Sequence, residues 1–232
     1  MDRLHQMAPR CTSGQRTRQL TQIRDSLEFP EFLVVKKYYP RLYFNTDKLG
    51  RPVYIERLGQ VDIAKLLQVT TNERMLQYTI YMYEKLTNYI LPGCSIAAGK
   101  NIEQTLTILD LSGIYLSSFP SVFTLLSDIS NVAQNYYPET LGKMFIINAP
   151  MLFYGVWALI SPLLNEVTVK KISILGSSYK TELLEYIENE NLPDFLGGTC
   201  TSNNWENVDV GPWKNTDLAN EKWERLNRAY GI

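Results

Sequence analysis

Residues 143–175 read KMFIINAPMLFYGVWALISPLLNEVTVKKISIL, and this stretch decides the fold. Residues 144–165 carry no charge. A strand-like run, 144–147, stops at Asn148-Ala149-Pro150. A second apolar run, 151–160, stops at Ser161-Pro162. Charge returns at Glu166, Lys170 and Lys171, just before a second strand-like run at 172–175. The spacing predicts a β-α-β unit whose crossover helix is apolar on every side. Such a helix must be buried, lie in lipid or cover something apolar. A membrane span needs about 20 unbroken apolar residues, and Pro150 and Pro162 fence this one too closely. A core helix and an apolar lid over a lipid-sized cavity remain.

At 232 residues, one domain with a small appendage is expected. A net charge of −1 gives no whole-chain bias toward nucleic acid. The three cysteines, Cys11, Cys94 and Cys200, form no CxxC pair, so neither a structural metal site nor a disulfide framework is expected. A reducing, cytoplasmic compartment fits that usage. The single histidine, His5, sits in a polar N-terminus, and no GxSxG occurs. Hydrolase chemistry built on a histidine base therefore has no core residue to use.

Residues 1–24 hold Arg3, Arg10, Arg16, Arg18 and Arg24 against one acid, Asp2, and read as a disordered basic tail. Order is expected from about residue 25. Residues 47–50 read as a tight turn between two strand-like flanks, the second of them Val53-Tyr54-Ile55-Glu56-Arg57. Thr70 with Glu73 reads as a capping box, opening a helix to about Leu91 that Pro92 and Gly93 interrupt. The Gly93 to Gly99 spacing is one residue too long for a phosphate loop, and Asn101 stands where a hydroxyl is needed. Residues 104–111 read as a buried strand with Thr105 and Thr107 on one face. Buried hydroxyls need partners, either protein, water or a polar ligand head. Helices are expected from Pro120 to about Gln134, from Lys180 to about Glu188, and from Asp217 to Arg228. Strands at 105–111, 144–148 and 171–175, with a helix between each pair, predict a mostly parallel α/β sheet. No glycine fingerprint for a nucleotide accompanies it.

Several stretches together resemble the CRAL-TRIO lipid-binding family, most of all its fungal phosphatidylinositol/phosphatidylcholine transfer proteins. They are Tyr39-Pro40 with Tyr43, Thr46-Asp47-Lys48, Gly50-Arg51-Pro52-Val53-Tyr54, Gln134-Asn135-Tyr136-Tyr137-Pro138-Glu139, and Ile146-Ile147-Asn148-Ala149-Pro150. Val167-Thr168-Val169 with Lys171, Ile174-Leu175-Gly176-Ser177-Ser178, Asn191-Leu192-Pro193 and Gly197-Gly198 complete the set. The resemblance covers about 25–200 and leaves 201–232 as an extension packed on that domain. It implies a CRAL-TRIO fold, with a mixed, mostly parallel sheet as the floor of one lipid pocket. The apolar helix would be its gate, with Met151, Phe153, Val156, Trp157 and Ile160 as gate residues.

By the same resemblance, Glu139, Thr168 and Lys171 match positions that hold the inositol phosphate head. Tyr43, Tyr54, Thr105 and Thr107 match positions around phosphocholine. Their chemistry suits those roles: a lysine for phosphate, tyrosine faces for a quaternary ammonium. The implied protein is not an enzyme and needs no cofactor or metal. It is a monomer that exchanges phosphatidylinositol and phosphatidylcholine, touches membranes transiently, binds no nucleic acid, and works in the cytoplasm at Golgi or endosomal surfaces. Two departures stand out. Family members carry an N-terminal helical module with an Arg-Lys pair for the inositol phosphate, and the tail here offers no match to it. The gate helix also lacks the basic residues of relatives. A carrier of another hydrophobe (a sterol, tocopherol or retinoid-like alcohol) and a lipid domain without transfer activity remain as alternatives.

Overall fold

A computed structural model describes residues 29–114, 127, 132, 136, 137, 139–201 and 210–215. The expected basic tail and the helix placed at 217–228 lie outside the described residues, as does the helix placed at 120–134 apart from Ser127 and Val132, which are helical. The central sheet has five strands in chain order: β1 (Arg41–Thr46), β2 (Pro52–Glu56), β3 (Thr105–Asp110), β4 (Leu141–Ile147) and β5 (Ile172–Ile174). β1 runs antiparallel to β2, and every later neighbour is parallel. The family-type α/β sheet expected from the sequence is thus the one observed.

The β1–β2 turn closes as expected. The Gly50 N–H donates to the Asp47 carbonyl at 2.9 Å. The buried Asp47 carboxylate takes the backbone N–H groups of Leu49 and Arg51 and the Arg51 Nε at 2.6 Å. Both oxygens of this buried acid are therefore engaged within its own loop.

Alternation along the strands gives the sheet two faces. One carries Leu42, Phe44, Val53, Ile55, Leu106, Ile108, Phe145 and Ile147, packed under α7 (Lys180–Tyr186) through Leu183 and Ile187. The other carries Tyr43, Tyr54, Leu109, Met144, Ile146, Ile172 and Ile174. It is covered by α1 (Phe32–Tyr38), α2 (Ile63–Val69), α3 (Asn72–Lys85), α4 (Leu91–Ala98) and the short helix α5 (Phe153–Ile160). A one-turn helix, α6 (Glu166–Lys170), leads into β5.

Two expectations need correction. The cap of α3 is Thr71, whose hydroxyl accepts the Arg74 N–H at 3.3 Å. Thr70 turns away, and its hydroxyl donates to Glu31 at 3.3 Å. Nor does Pro92 break the helix. A π turn at Leu86–Ile90 joins α3 to α4, so the wider register lets the chain pass the proline, which sits in the first turn of α4. Gly93 has a packing role: a Cβ there would stand 2.5 Å from both Cα and Cβ of the fully buried Trp213. Gly99 ends α4 in the left-handed region at φ 62°.

Candidate functional site

The helix-covered face of the sheet is not uniformly apolar. Strand register lines up two rows across it. One runs Tyr43, Tyr54, Thr107, Met144, Ile172, and the next runs Arg41, Glu56, Leu109, Ile146, Ile174. Polar groups thus collect on β1, β2 and the start of β3, while β4 and β5 are apolar. The arrangement suits a molecule with a polar head and a long apolar body.

Tyr43, Tyr54, Thr105 and Thr107 come together at the polar end. The Tyr43 and Tyr54 rings are tilted at 5.0 Å between centroids. Thr105 and Thr107 are buried, with hydroxyls 3.5 Å apart, and the Thr105 hydroxyl donates to the Thr140 carbonyl at 3.2 Å. Beside them lies a buried cluster that sequence reasoning missed. The Tyr39 hydroxyl donates to Glu56 Oε1. The Arg41 guanidinium packs over the Tyr39 ring at 4.6 Å and the Tyr78 ring at 4.3 Å. Burial raises the Glu56 carboxyl above its ordinary range, an effect the Arg41 charge and the Tyr39 and Tyr54 hydroxyls only partly offset. Burial acts against the Arg41 charge too, but Tyr54, Tyr39, Tyr78 and Glu56 outweigh it and keep the guanidinium charged. Tyr83 joins the same environment: burial, then the Glu56 charge, push its hydroxyl up to about 12. A signal for the cluster existed, because two-residue alternation puts Arg41 beside Tyr43 and Glu56 beside Tyr54.

Glu139 and Lys171 meet at the N-terminal ends of β4 and β5, and Thr168 is tied to Lys171 through its backbone. Lys171 Nζ pairs with Glu139 Oε2 at 3.3 Å and donates to the Leu141 carbonyl at 2.7 Å. The Lys171 backbone N–H closes onto the Thr168 carbonyl at 3.0 Å at the end of α6. Glu139 holds φ 63° and is largely exposed. The segment 139–141 touches both sets, since Thr140 takes Thr105 and Leu141 takes Lys171.

The Asn148-Ala149-Pro150 break is pinned to the sheet end. Asn148 sits at φ 54°, and its side-chain amide donates to Asp110 Oδ1 at 2.8 Å. The Ala149 N–H donates to the Leu175 carbonyl at 3.0 Å. Beyond it, α5 turns Phe153 inward at 8% exposure, with Val156, Trp157 and Ile160 half-buried. Met151, expected among the gate residues, precedes the helix and is 86% exposed. Leu152, Tyr154 and Leu159 are also exposed, Leu159 to 77%. The helix is therefore apolar toward the sheet and apolar toward solvent. No described helix is long and apolar enough to cross a membrane.

Fold and face together define an α/β domain whose helix-covered sheet face is polar on β1 and β2 and apolar on β4 and β5, with a short apolar helix packed over it. The chain belongs to the CRAL/TRIO domain family, whose model matches residues 36–198. It is 43% identical to the Sec14 cytosolic factor of Schizosaccharomyces pombe over 223 residues, 96% of this chain and 76% of that one. It is 43% identical to the SEC14 cytosolic factor of Candida glabrata over 90% of this chain and 70% of that one. It is 44% identical to the phosphatidylinositol/phosphatidylcholine transfer protein SFH4 of Arabidopsis thaliana over 84% of this chain, though only 33% of that longer one. Among solved structures, the crystal structure of Sfh5 matches with a TM-score of 0.64 at 19% identity, over 91% of this chain and 70% of that one, a likeness of fold.

Proposed function

We propose that this protein binds phosphatidylinositol and phosphatidylcholine one at a time and exchanges them at membrane surfaces. The observation that carries this reading is the run 151–160 leading into and forming α5, with Phe153 and Trp157 packed toward the sheet while Met151, Leu152 and Leu159 stay in solvent. An exposed apolar strip of this kind suits contact with a bilayer. Moving a phospholipid through water exposes its acyl chains, at about 0.8 kcal/mol per CH₂. A carrier that keeps the chains under α5 removes most of that cost, and in this reading the helix swings about the Asn148-Ala149-Pro150 break.

In this reading Lys171 takes the inositol phosphate, with Glu139 and Thr168 on the ring hydroxyls. Tyr43, Tyr54, Thr105 and Thr107 surround phosphocholine. No bond is made or broken, and neither cofactor nor metal is needed. The protein acts as a monomer, cytoplasmic and peripheral at Golgi or endosomal membranes; the relatives' names as cytosolic factors support the cytoplasmic part of this reading.

The test is transfer of labelled phosphatidylinositol and phosphatidylcholine between donor and acceptor vesicles. Movement of both lipids, saturable and proportional to protein, is expected. Movement of neither, with a sterol carried instead, would replace this reading with the other-hydrophobe one.

A further inference from the structure

We infer that the Arg41 guanidinium is a ligand-binding group that takes the phosphodiester of the lipid held at Tyr43, Tyr54, Thr105 and Thr107. Arg41 is 4% exposed. Neither its Nε nor its Nη2 finds an acceptor among the described residues. Those two N–H groups lie on one edge of the planar guanidinium and point the same way. That edge matches two oxygens of a phosphate, with two parallel charge-assisted hydrogen bonds. A buried charged donor left without a partner is strongly disfavoured, so an edge held empty inside a protein is a place for a ligand oxygen pair.

Its surroundings fix both place and orientation. Arg41 stands two residues from Tyr43 on the same strand face, and opposite Glu56 in the β1–β2 register. The Tyr39 and Tyr78 rings pack against the guanidinium. Glu56 is engaged by the Tyr39 hydroxyl, so it supplies a compensating charge without filling the free edge. Arg41 and Glu56 thus offer one positive and one negative pole beside the tyrosine pair. A phosphate with a quaternary ammonium presents the complementary two. A sterol hydroxyl brings a single oxygen and leaves half the edge unpaired. A fatty-acid carboxylate is the other source of two anionic oxygens, but it has no cation for Glu56 and the tyrosine faces.

This inference rests on the lipid-exchange reading and is tested apart from it. Wild type, R41Q and R41K are assayed for transfer of phosphatidylcholine and of phosphatidylinositol between vesicles, and for binding of oleate. Wild-type transfer of both lipids establishes the exchange reading by itself; if wild type moves neither, both claims fall. Given wild-type transfer, R41Q is expected to lower phosphatidylcholine transfer about tenfold or more while phosphatidylinositol stays within about twofold. R41K keeps the charge and loses the fork, and is expected to fall between. It carries the test alone if R41Q does not fold. Unchanged phosphatidylcholine transfer, an equal loss of both lipids, or a loss confined to oleate would each overturn the inference.

Discussion

Lys171→Gln separates head-group binding from fold. In the structure Lys171 Nζ holds the Leu141 carbonyl at 2.7 Å and Glu139 at 3.3 Å. Glu139 is 77% exposed, so the ion pair contributes only about 0.2–1 kcal/mol. Glutamine keeps a donor for the carbonyl, so the stability loss should stay near 1 kcal/mol, a fall in Tm of about 2–4 °C. The loss to the ligand is larger. A charge-assisted bond to phosphate contributes about 1.5–3 kcal/mol, or roughly 10- to 150-fold in affinity. Vesicle transfer of the two lipids, run in parallel with thermal melting, reads both numbers. Phosphatidylinositol transfer should drop by at least about tenfold, with phosphatidylcholine unchanged. A matched fall in both lipids, or phosphatidylinositol surviving within about twofold, would refute the placement of the phosphate at Lys171.

Leu159→Glu puts a charge on the exposed strip of α5, where Leu159 is 77% exposed. Lipid content after purification should be unchanged while vesicle transfer falls about tenfold; full transfer would mean that this face does not meet the membrane. Gly93→Ala drives a Cβ to 2.5 Å from Trp213 and should cost about 1–3 kcal/mol by overpacking, seen as a Tm lowered by several degrees. A wild-type Tm would mean that the 210–215 segment does not hold α4 as described. Burial raises the Glu31 carboxyl, but the bonds from Arg74 and Thr70 outweigh this and hold it below 4.5. Its stabilisation of about 1 kcal/mol is therefore present above that pH and lost as pH falls through the lower folded value. Denaturant melts of Glu31→Gln and wild type should differ at pH 6, and the gap should shrink as the pH is taken into the acid range; a constant gap would contradict the sign.

Much of the fold was legible because its signals were local. Alternation set the strand faces, and Asn148-Ala149-Pro150 marked the break between β4 and α5. The features that were not legible depend on distant partners. Thr71 displaced Thr70 as cap because Glu31, far back in the chain, takes the Thr70 hydroxyl. Pro92 was passed because a π turn before it changes the helical register, a packing outcome that composition does not encode. Gly93 invited a phosphate-loop reading, whereas its lack of a side chain serves Trp213. At the site, the tyrosine and threonine positions came from resemblance and meet on one face. Arg41 and Glu56 were hidden because charged residues in strands read as solvated until both strand neighbours and the covering helix are known.

Native mass spectrometry of the purified protein, with its ligand extracted and identified, tests the central claim most directly. The account predicts one glycerophospholipid per chain, phosphatidylinositol or phosphatidylcholine, released when α5 meets vesicles. A sterol or other neutral lipid in its place, or a folded chain that neither holds nor moves phospholipid, would contradict it.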